Sequence, residues 1–131
     1  MANQVSTSSI IKGKKNYDLA SRTAKFAEEI IMFANQFKRE ALLMPLLTQF
    51  IRSGTSIGAN YCEANEAESR KDFIHKIGIC KKESRETQYW LQMIAKAVPE
   101  TKTQCRSLWK EAHELTLIFS ASIVSAKRNG H

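Results

Sequence analysis

Hydrophobic residues recur along most of this chain at alternating steps of three and four, the spacing of helices with one buried face. Leu19, Thr23, Phe26, Ile30, Phe33 and Phe37 form a first stripe. Leu43, Leu47, Phe50, Gly54, Ile57, Tyr61 and Ala64 form a second. The third runs Phe73, Ile77, Cys80, Ser84, Thr87, Leu91, Ile94, and the fourth Cys105, Leu108, Ala112, Leu115, Phe119, Ser122, Ala126. No segment sustains the period-two alternation of a strand. The pattern predicts helices over about 18–37, 43–66, 70–97 and 101–127, in one domain spanning 17–131. Residues 1–16, rich in Ser, Asn and Lys and without period, read as a flexible basic tail.

Local signals punctuate the stripes. Asp18 can cap the first helix, and Lys38 to Leu42 reads as a turn. Pro45 suits the first turn of the second helix, where a missing N–H costs little. Ser69-Arg-Lys-Asp72 is a capping box before an apolar run, and Thr101-Lys-Thr-Gln104 reads as another. Val98-Pro99 ends the third helix, because proline disfavours helical geometry in its predecessor. Connections this short make successive helices antiparallel neighbours. The expected fold is all-α, an antiparallel up-down-up-down four-helix bundle. Leu117, Ile118, Ile123 and Val124 widen the apolar face of the fourth helix, and Trp90 and Trp109 flank their stripes. Two readings fit that surplus: a broad core face, or an interface between subunits.

Composition narrows the setting. The chain's 131 residues suit one domain with a real core. No apolar run approaches the ~18 residues of a membrane span, and Ile10-Ile11 is too short for a signal-peptide core. Three cysteines, Cys62, Cys80 and Cys105, stand far apart without a CxxC, which argues against disulfides or zinc and for a cytoplasmic location. The net charge of +7 is uneven. Residues 1–17 carry +3 and residues 69–98 carry +4, while 42–68 carry −2. Such a chain attracts polyanions in a salt-dependent way. The residues expected to meet phosphate are Lys12, Lys14, Lys15, Arg70, Lys71, Lys81, Lys82 and Arg85. No motif for sequence readout accompanies them.

Arg52-Ser-Gly-Thr-Ser-Ile-Gly-Ala-Asn60 stands mid-helix yet holds two glycines, each costing about 1 kcal/mol against alanine. Gly54 and Gly58 share a face, so tight helix packing is the leading reading. A phosphate cradle is the weaker one, since no strand precedes the segment. Folding the second and third helices into a hairpin near residue 67 brings Arg52 level with Glu83 and Glu86. Ser56 and Asn60 then face Lys76 to Ile79, with Glu63 nearby. An inter-helix polar network with Arg52 as donor follows, the alternative being separate solvated charges. Catalysis and metal binding find no support: there is no Glu-x-x-His, Glu111 and His113 point apart, and no nucleophile can be placed beside a base. No cofactor is expected.

Arg52 to Asn60, then Glu63-Ala64, Ser69-x-Lys-Asp-Phe-Ile-His-Lys76 and Lys82-Glu83-x-x-Glu86-Thr-x-Tyr-Trp-Leu91 closely resemble the bacterial four-helix-bundle family of 23S rRNA intervening-sequence proteins, or S23 ribosomal proteins. The matching core spans about residues 49 to 91. Cys62 stands where an acidic residue is common, and Lys81 where an apolar one is. The resemblance implies the same fold, no enzymatic activity, and a ring-like homo-oligomer, a pentamer. A related group serves as accessory proteins to reverse transcriptases. Two functions are therefore expected in outline: association with rRNA or another structured RNA or DNA, or service as a protein-interaction adaptor.

Overall fold

The computed structural model describes residues 19–129. Four helices account for nearly all of them: α1 (Leu19–Ala34), α2 (Met44–Asn65), α3 (Arg70–Ala97) and α4 (Lys102–Arg128), with a 3₁₀ turn at Pro99–Thr101 before α4. Among the described residues there is no strand, and no helix is long and apolar enough to cross a membrane. The expected tail and the Asp18 cap lie outside the described residues.

The stripes build the core. Every member of the second is buried, and in the third only Phe73 is partly exposed. Phe26, Phe50 and Phe119 fill the centre, between Ile30, Ile57, Ile77, Leu91, Ile94 and Leu115. Contacts between α1 and α2 run in opposite order along the two helices. Gly58 lies against Thr23, Gly54 against Ile30, and Phe50 packs on Phe33 with ring centroids 5.9 Å apart. Contacts between α2 and α3 invert in the same way, from Ser53 with Thr87 through Ile57 with Cys80 to Glu63 with Lys76. Burial pushes the Cys80 thiol up to about 12, so it stays protonated and donates to the Ile57 carbonyl at 3.5 Å.

The helix ends follow local chemistry, with two departures from expectation. Ser69 is extended at the N-cap of α3 and accepts from the Asp72 amide at 3.0 Å. Pro45 occupies the first turn of α2. α1, however, stops at Ala34 and not at Phe37. The Gln36 and Phe37 amides bond back three residues, to Phe33 and Ala34, which tightens the last turn and ends the helix. Phe37 still packs edge-on to Phe33, centroids 5.0 Å apart. Thr101 does not cap α4. Its hydroxyl donates to the Val98 carbonyl at 2.7 Å inside the 3₁₀ turn, so it is turned away from the helix amides.

The glycines of α2 have a packing cause. A methyl group on Gly54 would stand 2.7 and 2.9 Å from the γ carbons of Ile30, a fully buried side chain. On Gly58 it would meet the Thr23 hydroxyl at 3.2 Å and the Thr23 backbone at 3.4 Å. On Gly78, in α3, it would meet nothing within 4 Å. Alanine gains about 1 kcal/mol in helix propensity at each site, while overpacking costs about 1–3 kcal/mol where the neighbour cannot yield. Urea denaturation should therefore rank the variants: Gly54→Ala destabilised by about 1 kcal/mol, Gly58→Ala near neutral, Gly78→Ala stabilised by about 0.5–1 kcal/mol. A stabilised Gly54→Ala would show that the α1–α2 contact is not tight.

Candidate functional site

Two ion-pair clusters and one pair tie the helices together. Arg52 of α2 spans two of the three acidic residues of α3, Glu83 and Glu86. Its Nη1 donates to the Glu83 oxygens at 3.3 and 3.4 Å, and its Nη2 to Glu86. Gln49 accepts from its Nε at 3.2 Å. The Trp90 indole also donates to Glu86, at 3.1 Å. Burial pushes the Glu86 carboxyl up, but Trp90 and Arg52 together outweigh it and hold it below the usual range. The Glu83 side chain is only 9% exposed, so the guanidinium serves it where water cannot. Lower in the hairpin, Lys76 Nζ meets Glu63 at 2.6 Å.

Ser56 and Asn60 do not join this network. The Asn60 amide turns back to the Ser56 carbonyl of its own helix at 2.9 Å. The Ser56 hydroxyl is buried without a hydrogen-bond partner among the described residues. A different pair of hydroxyls bridges α2 and α3: Thr87 donates to Ser53 at 2.9 Å, with the Glu83 carbonyl also in reach at 2.8 Å, and Ser53 donates to the Phe50 carbonyl.

A second cluster joins α1 to α4. Arg22 Nε and Nη2 grip Glu111 at 2.7 and 2.9 Å, and Nη2 also reaches Glu114 at 2.8 Å. The Glu111 pairing raises the Arg22 pKa further above its ordinary value, despite partial burial. Sequence reasoning missed this cluster. Its one signal was that residues 18–41 carry four positive and four negative charges, which names no partner.

These pairings sort charge by face. Each two-carboxylate cluster holds one cation, so acidic groups of α3 and α4 are committed toward α2 and α1. Most basic residues of α3 and α4 lie outside these clusters, with Lys82 one turn from Glu86 and Lys110 one turn from Glu114 at their borders. Arg70, Lys81 and Arg85 follow one line of α3 at spacings of eleven and four, and Lys71 and Lys82 follow the adjacent line. All are exposed except Lys81, which is half-buried, and none forms an ion pair among the described residues. Lys12, Lys14 and Lys15 lie outside the described residues. On α4, Lys102, Arg106 and Lys110 form a second basic row. Between α3 and α4 lies an open groove of about 480 Å³, with Leu91, Ala95, Cys105 and Trp109 on its walls and that row on its rim. Among the described residues no carboxylate lines it. The Trp109 ring stacks on His113, centroids 5.3 Å apart and 16° from parallel. Among the described residues no cluster of His, Cys, Asp or Glu could hold a metal ion.

The wide face of α4 is divided. Ile118 and Ile123 pack against the core, as do Trp90 and Trp109 in part, whereas Leu117 and Val124 are 55% and 53% exposed.

This architecture defines a class: a small four-helix bundle whose most distinctive residues brace helix against helix. The chain belongs to the 23S rRNA-intervening sequence protein family, whose model matches residues 15–121. It is similar to a protein of unknown function from the S23 ribosomal protein family of Bacteroides thetaiotaomicron, with 35% identity and a TM-score of 0.74. That likeness covers 79% of this chain and 96% of the other. No curated protein gives a match.

The two arginine clusters differ in what their loss exposes. Arg52→Ala strands Glu83 in a nearly dry site and should cost about 2 kcal/mol in urea melts. Adding Glu83→Gln should recover part of it. Arg22→Ala leaves Glu111 and Glu114 better hydrated and should cost about 1 kcal/mol or less. The reverse ranking would mean that Glu83 finds water or another donor once Arg52 is gone.

Proposed function

We propose that this protein binds RNA through its basic faces, as a non-catalytic homo-oligomer acting on rRNA or another structured RNA. The observation that carries this reading is the segregation of charge. The carboxylates of α3 and α4 are largely committed to Arg52 and Arg22 toward α2 and α1, which leaves two basic rows on the outward faces. A row from Arg70 to Arg85 spans about 22 Å of helix, enough to follow several phosphates. Phosphate contact of this kind positions a nucleic acid without reading its sequence. The family's description, a 23S rRNA-intervening sequence protein, agrees with an RNA partner. Filter binding of rRNA fragments at several salt concentrations should give an affinity that falls steeply and linearly on logarithmic axes. Absence of binding at low salt would overturn the reading.

Oligomerisation is proposed through the outer face of α4, where Leu117 and Val124 stand half-exposed in the single chain. Light scattering after gel filtration should give a mass of five 14.9-kDa chains, and Leu117→Lys with Val124→Lys should reduce it. A wild-type monomer at micromolar concentration would contradict this arrangement.

An adaptor role is the second reading. It is favoured by the exposed Ile31 and Ile51, which face one shallow depression between α1 and α2 beside Met44 and Thr48. A protein partner that stays bound after nuclease treatment would favour it over RNA binding.

A further inference from the structure

We infer that the groove between α3 and α4 seats an unpaired nucleotide of single-stranded RNA, with Trp109 as its stacking surface and Lys102, Arg106 and Lys110 as its phosphate contacts. The inference rests on the RNA-binding reading and adds where, and in what form, the RNA is held.

Three features converge. First, the groove combines a flat aromatic wall with a cationic rim, the pairing that single-strand binders use: stacking for the base, lysine and arginine for the backbone. The Trp109 indole stacks on His113, which does not line the groove, so the ring is held in place from outside it. Second, Lys102, Arg106 and Lys110 recur every four residues on one face of α4. They cover about 12 Å of axis, a length that passes more than one phosphate of a strand. Third, the approach is electrostatically continuous. Arg70, Lys81 and Arg85 lie on the same line of α3 as Gln92 and Ala95, which form the groove's other wall. An RNA drawn along that row is led into the groove.

The other occupants fit less well. A duplex keeps its base faces stacked inside and would leave the indole and the apolar wall uncovered. In a ring of five, a neighbouring copy would meet the groove with a different surface, which would have to bring unpaired carboxylates to Lys102, Arg106 and Lys110, and four of those on α3 and α4 are already held by Arg52 and Arg22. An acidic peptide would satisfy the rim but would not need a flat ring. No carboxylate is among the described residues lining the groove, and the two nearest Lys110 in the adjoining depression, Glu111 and Glu114, are held by Arg22.

The test is a fluorescence-anisotropy titration of the full chain with a labelled 15-nucleotide RNA of mixed sequence, single-stranded and annealed to its complement. Single strands should bind more tightly than the duplex and should quench indole emission. Trp109→Ala should weaken single-strand binding about 5- to 150-fold, the range set by loss of one base stack, while Trp109→Phe should retain most of it. Because Trp109 also packs on the core, a second variant is needed whose changes are confined to exposed side chains: Lys102→Gln, Arg106→Gln and Lys110→Gln together. It should keep the wild-type melting temperature and lower the salt slope by about 2. If the wild type binds RNA but neither variant alters it, the RNA sits elsewhere: the groove assignment falls and the RNA reading stands. If oligoglutamate binds with the same dependence on Trp109, the groove reads acidic chains and the inference is overturned. If Trp109→Ala changes only the oligomer mass, a second copy occupies the groove and the inference is overturned in that case too. If the wild type binds no RNA at low salt, both readings fail together.

Discussion

Gly54 brings α2 onto α1 so closely that Ile30 occupies the space a methyl group would need. That approach sets the rest of the bundle. It lets Phe50 reach Phe33 one turn away, and it presents the opposite flank of α2 to α3. There the residues next to the glycine make the second set of contacts: Ser53 meets Thr87, Ile57 accepts from Cys80, and Arg52 spans Glu83 and Glu86. α2 is thus held on two sides by consecutive residues of one segment. The helix-propensity cost of its glycines, about 1 kcal/mol each, is the local counterpart of that geometry. Tyr61 continues the arrangement by reaching Phe119 of α4, ring centroids 6.4 Å apart.

Placing α2 centrally has an electrostatic consequence. Its guanidinium sits where α3 carries two carboxylates, and the Arg22 guanidinium of α1 sits where α4 carries two more. Each cluster has an excess of negative charge, so the positive excess of the chain must appear elsewhere. Most of it appears on flanks of α3 and α4 outside these clusters, with Lys82 and Lys110 at their borders. The same pairs that orient the helices therefore shape the surface left for a partner, and a basic exterior is a by-product of how the interior is braced.

The stripes were legible because each helix buries one face and successive helices are short-looped. Their register was legible only between neighbours in sequence. Arg52 could be set against Glu83 and Glu86 because a hairpin folded near residue 67 fixes which residues lie level. Arg22 and Glu111 are 89 residues apart, on helices joined through two others, and nothing local fixes their level. Residue-scale hydrogen bonding was hidden for another reason. Asn60 and Thr101 each have a backbone carbonyl three or four residues back within reach of their side chains, and that bond competes with the inter-helix role read for Asn60 and the capping role read for Thr101. The groove was illegible because it depends on which flank of α4 meets α3. Trp109 therefore looked like surplus core beside its stripe, and the row Lys102, Arg106, Lys110 was not singled out.

The division of labour within the chain bears on what kinship in this family means. The segment that carries the likeness, Arg52 to Asn60 with Glu83 and Glu86, is occupied with holding α1, α2 and α3 together. Residues so committed specify a scaffold and leave little free to specify a ligand. On the binding reading proposed above, discrimination among partners would come from the outward faces of α3 and α4, where exposed side chains such as Arg70, Lys102 and Arg106 take no part in the bracing. Two chains can then share the bracing segment closely and still differ in what they bind, because on that reading bracing and binding would use different sides of the same helices.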